Sequence, residues 1–278
     1  MIRISIVTIT YNAQRTLQRT LDSVRSQTYP CIEHLIIDGA SKDDTLQIAQ
    51  QYQKESSHEV SIQSEPDKGL YDAMNKGLQR ATGDYVVFLN AGDSLYAADT
   101  IETVVKAASP QPSAISHQSS DITSHPSPLT SEIPAVIYGD TAITDDQGHF
   151  LHLREHRPPE QLSWRSFKKG MLVCHQAFYA RLDIASNILY DLKHRHSADV
   201  DWCIRVMKEA ERRQLPLVNT HTVLANFEEG GNTTQNHRAS LKERFYVMAH
   251  HYGYVQTVLL HLWFVIRGIL RHFPTVAK

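Results

Sequence analysis

Four aspartates, Asp38, Asp67, Asp93 and Asp199, stand where apolar strand-like runs end or where a helix begins. In an open α/β sheet, these are positions beyond the carboxyl ends of strands, where ligands bind. A sheet that takes a nucleoside diphosphate must hold a base and a ribose, offset the pyrophosphate charge and supply a catalytic group. Tyr11, after the first run, suits stacking on a base, and Asp38, after the second, suits hydrogen bonds to base or ribose. Asp93 suits a divalent cation bridging two phosphates, since Mg²⁺ and Mn²⁺ prefer oxygen ligands. The alternative for Asp93 is a cap on the following turn. Asp199 suits a general base.

The elements that must position these groups follow from the apolar pattern. Residues 85–89, Tyr-Val-Val-Phe-Leu, are too few for a helix and rich in β-branched and aromatic side chains. Bounded by Gly83 and by Ala91-Gly92, they read as a fully buried parallel strand that delivers Asp93. Ile2, Ile4, Ile6, Val7 and Ile9 form a first strand ending in Thr8-Ile9-Thr10-Tyr11-Asn12. Leu17, Leu21 and Val24 then recur at helical spacing. His34-Leu35-Ile36-Ile37-Asp38-Gly39 is a second strand, a helix with Leu46, Ile48, Ala49 and Tyr52 inward follows, and Val60-Ser61-Ile62 is a third strand. The spacing predicts a helix over 70–80 with Met74 and Leu78 inward. Asp72 and the Lys76/Arg80 pair suit the two ends of its dipole. Asp99 and Glu102 have capping-box spacing before the next helix. Strand alternating with helix predicts an α/β, Rossmann-like, mostly parallel sheet with right-handed crossovers and helices on both faces.

Composition bounds the rest. A chain of 278 residues, 41% hydrophobic and 21% charged, suits one large globular domain or a domain with an appendage. A formal charge of -2 gives no sign of a nucleic-acid partner. Cys31, Cys174 and Cys203 lack metal-type spacing and read as reduced thiols of a cytoplasmic protein. No signal peptide opens the chain, and no run of 18 apolar residues spans a bilayer. Residues 108–134, rich in Ser, Pro, Gln and His, read as a surface insertion, a solvated spacer or a regulatory segment. Residues 145–148, Asp-Asp-Gln-Gly, read as a hairpin turn.

Several motifs, in order, resemble glycosyltransferase family 2. They are Thr8-Ile9-Thr10-Tyr11-Asn12, Ile37-Asp38-Gly39-Ala40-Ser41-Lys42-Asp43-Asp44-Thr45 and Glu65-Pro66-Asp67-Lys68-Gly69-Leu70-Tyr71-Asp72-Ala73-Met74-Asn75-Lys76-Gly77. Ala81-Thr82-Gly83-Asp84, Asn90-Ala91-Gly92-Asp93, Tyr138-Gly139-Asp140, His175-Gln176, Ala198-Asp199-Val200-Asp201-Trp202 and Gly230-Gly231-Asn232-Thr233 continue the series. The resemblance covers roughly residues 3–250. It implies a GT-A fold and inverting transfer of a sugar from a nucleotide sugar, most often a uridine one, to an acceptor hydroxyl. It places Thr8, Tyr11, Asn12, Asp38, Asp67, Gly69, Asn75 and Lys76 on the donor side. Asp93 takes the metal position with Mn²⁺ or Mg²⁺, and Asp199 the base. His175 and Gln176 line the acceptor side, though a core role for His175 is the alternative. Asp201 lies beside Asp199 and competes with it.

The chain departs from the family's pattern in having one acid in Asn90-Ala91-Gly92-Asp93, so the ion should be held mainly by pyrophosphate and water. Met74 stands where some members have arginine. Residues 227–234 read as a lid or as a plain flexible turn. The implied organisation is a catalytic domain over 1–250 and a C-terminal helical tail over 251–278. Residues 255–272 read as a basic amphipathic helix, lying in a membrane interface or docked on the domain or on a second subunit. The function expected is a peripheral enzyme at the inner face of the cytoplasmic membrane, acting on a glycan or lipid-linked glycan in bacterial surface glycan synthesis. The rivals are an inactive nucleotide-sugar-binding partner subunit and a nucleotidyltransferase, the latter disfavoured by the lack of a Gly-rich phosphate loop with a following Lys.

Overall fold

The structure, a computed structural model, describes residues 1–109, 133–229 and 237–271. Most of the Ser/Pro-rich insertion and the glycine-containing part of the expected lid therefore lie outside the described residues. The nucleotide-type half runs β1 (Ile4–Thr10), α1 (Leu17–Arg25), β2 (Ile32–Asp38), α2 (Thr45–Glu55), β3 (Glu59–Ser64), α3 (Leu70–Arg80) and β4 (Tyr85–Phe88). Every residue of β1, β2 and β4 is buried, as the near-continuous Val/Ile/Leu runs require of strands covered on both faces. Alternation along β2 shows the two faces: Ile36 joins Leu17, Leu21, Ala49 and Tyr52 of α1 and α2, while Leu35 and Ile37 join the main core with Met74 and Leu78 of α3.

These four strands are parallel in the order β3-β2-β1-β4. The chain winds outward from β1 to β3 and then crosses to the other side of β1, so the order reverses between β1 and β4. The crevice beyond the carboxyl ends at such a reversal is the expected ligand site. Tyr11 and residues 90–93 both lie at that crevice.

The second half adds β5 (Ser94–Leu95), α4 (Thr100–Ala108), β6 (Val136–Thr144), β7 (Phe150–Leu153), β8 (Phe178–Arg181), the short α5 (Leu182–Ala185), α6 (Ala198–Arg212) and β9 (Leu217–Glu228). Here β8 is antiparallel to both β4 and β6, and β9 runs parallel to β6. The hairpin turn at 145–148 joins β6 to β7. The capping box expected at Asp99 does not form. The start of α4 is instead satisfied by Gln27 Oε1, which accepts from Ile101 N at 3.1 Å.

Two helices close the described chain, α7 (His237–Tyr252) and α8 (Tyr254–Arg271), broken at Gly253 with φ +88°. The sequence pattern did not signal α7, because its apolar residues are spread around the helix rather than gathered on one side. α7 packs on α6, where His251 Nε2 meets Asp201 Oδ1 at 2.8 Å, and its Val247 is buried in the main core.

Candidate active site

Three loops meet at the rim of the crevice. Tyr11 follows β1 and is 61% exposed, an open ring at the rim. Gly39 follows β2; a Cβ there would sit 2.6 Å from Asp67 Oδ2 and 3.2 Å from Tyr11 Cδ2, so only glycine lets these groups close in. Asp67 follows β3, and its Oδ1 accepts from Gly69 N at 2.8 Å. Gly69, at φ +115°, turns the chain into α3. Asn12, at φ +47°, holds the neighbouring loop through its Oδ1, which accepts from Lys42 N at 2.9 Å.

At the centre lies Asp93, 6% exposed. Gln176 Nε2 donates to its Oδ2 at 2.7 Å, and Glu228 N donates to its Oδ1 at 3.3 Å. Burial pushes its carboxyl up to about 6 despite these two neutral donors. The turn is held from below by α1, where Thr20 Oγ1 donates to Asp93 O at 2.7 Å and Arg19 Nη2 donates to Gly92 O at 2.9 Å. Arg19 also pairs with Glu228.

Asp199 stands in the first turn of α6, its side chain 18% exposed. Tyr71 Oη, from the first turn of α3, donates to Oδ1 at 3.1 Å, and His175 Nδ1 lies 3.6 Å from Oδ2. Burial alone would raise this carboxyl. His175, the Val200 N–H and Arg244 outweigh burial and hold it below its ordinary value. Asn90 Nδ2 lies 3.3 Å from His175 Nε2; donating there, it leaves the Nδ1–H facing Asp199. Adjacent residues of one segment thus serve both acids: His175 serves Asp199, and Gln176 serves Asp93.

Tyr11, Asp67, Gly69, Asp93, His175, Gln176 and Asp199 therefore line one cleft of about 840 Å³. Other expected site residues do not face it. Thr8 is fully buried, with Oγ1 2.9 Å from His34 Nε2 inside the sheet. Asp38, 1% exposed, accepts from Ser41 N at 3.0 Å and Ser64 Oγ at 2.6 Å, which leaves it pinning the loop after β2. Asn75 bonds the backbone of Tyr190, and Lys76 Nζ lies 2.8 Å from Glu65 Oε1. Asp201 sits two residues past Asp199, about 200° around the helix. It accepts from Arg205 Nε at 2.7 Å and from His251 Nε2 at 2.8 Å, outside the cleft. Arg19, His196 and Arg244 carry no motif signal in the sequence, and Tyr71 and Glu228 lie in segments singled out there without a role of their own, yet all five line or brace the cleft. A larger hollow, about 1030 Å³, lies at the other end of β4. Both of its acids among the described residues are engaged: Asp183 pairs with Arg181 and Arg213, and Asp84 Oδ2 accepts from Arg3 N at 2.7 Å.

The model of the family described as "Glycosyl transferase family 2" matches residues 5–182. The chain belongs to glycosyltransferase family 2. Among relatives, a PGL/p-HBAD biosynthesis glycosyltransferase of Mycobacterium bovis is 32% identical over 228 residues, 82% of this chain and 77% of that protein. Among solved structures, S. aureus TarS 1-349 in complex with UDP-GlcNAc superposes with a TM-score of 0.62 at 15% identity, over 88% of this chain and 64% of that one. This chain thus spans somewhat under two thirds of that structure. The mannosyltransferase PcManGT from Pyrobaculum calidifontis, in complex with GDP-Man and Mn²⁺, superposes with a TM-score of 0.60 at 14% identity, over 93% and 74%. Identity that low shows the fold alone, and the fold is GT-A. As a family 2 member the protein is a glycosyltransferase.

Proposed function

We propose that this glycosyltransferase moves a sugar, with inversion, from a uridine diphosphate sugar to an acceptor hydroxyl during bacterial surface glycan assembly. The observation that carries the mechanism is the single cleft shared by Asp93 and Asp199, linked through Gln176 and His175. A sugar hydroxyl is a weak nucleophile. Asp199 takes its proton as the oxygen bonds the anomeric carbon, and the bond from that carbon to the diphosphate oxygen breaks, releasing UDP. Attack from the face opposite the leaving group needs no covalent intermediate, so one base suffices, unlike the paired carboxylates of glycosidases. His175 and Tyr71 keep Asp199 oriented and ionised before the acceptor arrives. Tyr11 stacks on the base and Asp67 lies beside the ribose.

Among the described residues no three ligating side chains cluster, so Asp93 by itself makes no preformed metal site. Among the described residues its buried carboxylate accepts from two neutral N–H groups, and it would serve as one oxygen anchor for a Mn²⁺ or Mg²⁺ held otherwise by the donor and water. Such an ion supplies charge stabilisation for the departing diphosphate.

Thermal-shift measurement with UDP, GDP and dTDP, with and without Mn²⁺, tests the donor, since ligands of the folded state raise Tm. UDP should give the largest shift, and more with Mn²⁺. No shift with any of them ends the reading; the largest shift with GDP moves the donor to a guanosine sugar. Turnover of the matching nucleotide sugar separates the enzyme from an inactive binding subunit.

The tail supports a reading in which the transfer takes place at a membrane surface. Thr257 of α8 is fully buried, and His261 packs on Phe245 of α7 at 5.1 Å, so the polar side of the helix faces the protein. The apolar side is open: Val255, Leu259, Leu262 and Trp263 are 73%, 62%, 55% and 56% exposed. Residues 237–278 carry six Lys/Arg against one acid in a chain of net charge -2. An apolar stripe with basic surroundings fits the surface of an anionic bilayer. No helix among the described residues is long and apolar enough to cross one.

A further inference from the structure

The cleft has a cationic wall that neither the nucleoside nor the proposed base explains. Arg244, from the second turn of α7, lines the cleft with His196 and Asp199, and its charge acts on the Asp199 carboxylate. Its Nε is buried without an acceptor among the described residues. The acid next to it in sequence does not serve it. Glu243 turns to the 195–196 loop, with Oε1 accepting from Arg195 N at 3.1 Å and Oε2 from His196 N at 2.7 Å. Ser197 Oγ donates to Ser240 O at 3.3 Å and ties the same loop to α7. One turn of α7 therefore fixes the loop that carries His196 and leads into Asp199, while it holds a guanidinium over the cleft. A buried charged donor with no partner is costly, so its natural complement is an acceptor group that arrives with a ligand.

We infer that Arg244, with His196, forms an anion subsite at the acceptor end of the cleft, binding a phosphate or carboxylate carried by the acceptor. This rests on the glycosyl-transfer reading above. A cation beside a general base lowers its basicity, as Arg244 does to Asp199. A neutral acceptor would leave that handicap in place. An anionic acceptor engages the guanidinium and removes it when the proton must move. The donor diphosphate is the other anion near the cleft, but the groups that act on Asp93 are Gln176, His175 and Glu228, whereas Arg244 acts on Asp199.

The test uses the full chain saturated with UDP and Mn²⁺, so that the donor site is filled. Glucose, glucose 6-phosphate and glucuronate are titrated by calorimetry. The charged sugars should bind at least tenfold more tightly than glucose. Arg244→Gln should erase that difference while UDP affinity stays within twofold, and Arg244→Lys should restore part of it. Preference for the phosphate over the carboxylate, or the reverse, identifies which anion the acceptor carries. Equal binding of charged and neutral sugars overturns the subsite while UDP binding keeps the donor reading intact. A tenfold loss of UDP affinity in Arg244→Gln assigns the residue to the donor and also overturns it. Failure of the wild type to bind UDP removes the donor reading and the subsite together.

Discussion

Tyr71 Oη donates to Asp199 Oδ1 at 3.1 Å, joining the first turns of two helices that lie 128 residues apart. A hydrogen bond to the charged form favours it, so Tyr71→Phe should make Asp199 more basic. The acid limb of the kcat/KM profile should move to higher pH, with kcat changing less than about tenfold. An unmoved limb would mean that another group titrates there.

Asp199→Asn keeps the size of the side chain but cannot take a proton. Transfer should fall by about 10²–10⁴, with UDP affinity unchanged within twofold. Asp201→Asn should keep transfer and lose stability instead, because Arg205 and His251 lose their common carboxylate. Reversal of these two outcomes would put the base at Asp201.

Asp93 gives a pH dependence of stability in the absence of metal and nucleotide. Its carboxyl is raised from 3.8 to about 6 by burial, so the folded state holds this proton more tightly than the unfolded one. The stabilisation is full below about pH 4 and is lost as pH rises through about 6, amounting to ~3 kcal/mol. In chelator, urea unfolding of Asp93→Asn should therefore gain on the wild type by roughly that amount between pH 4 and 7.5. Parallel curves would show that Asp93 titrates normally. Asp93→Ala should also abolish the Mn²⁺ enhancement of UDP binding; wild-type UDP binding that chelator leaves undiminished would remove the metal role.

Gly77 on α3 lets that helix lie against β1. A Cβ there would fall 2.3 Å from Val7 Cγ1 and 3.3 Å from Ile37 Cγ1, both in packed strands. Gly77→Ala should cost about 1–3 kcal/mol by overpacking, despite the better helix propensity of alanine. Denaturant midpoints measure it, and a stabilised variant would show that α3 can shift freely.

The exposed stripe of α8 should govern membrane binding. Leu259→Glu with Leu262→Glu should weaken co-sedimentation with phosphatidylglycerol vesicles by at least tenfold, each buried leucine being worth about 1.5–3 kcal/mol. Transfer to a water-soluble acceptor should persist. Unchanged sedimentation would place another surface on the bilayer. A shift from dimer to monomer on the same substitutions would make the stripe a subunit interface.

The parallel half was legible because its cues are local. Short runs dense in Ile, Val, Leu and aromatic residues mark strands buried on both faces, and α3 spans the 70–80 that its periodicity marks. The acids at the strand ends were legible for the same reason: a strand that stops in Asp or Gly places that residue at the sheet's edge. α7 was not legible, since its apolar residues follow no single side, and helix formation there depends on packing against α6.

By itself, the order of residues determined the class of sheet, the succession of elements in its parallel half and which acids stand at strand ends or helix starts. Tertiary structure decided what each acid does there. The carboxylate of Asp38 is taken up by Ser41 and Ser64, that of Asp201 by Arg205 and His251, and those of Asp93 and Asp199 are left facing one cleft. Backbone periodicity is set by neighbours in the chain. The hydrogen-bond partners and basicity of a carboxylate are set by whatever distant segments bring to it, as Gln176, His175 and Arg244 do here.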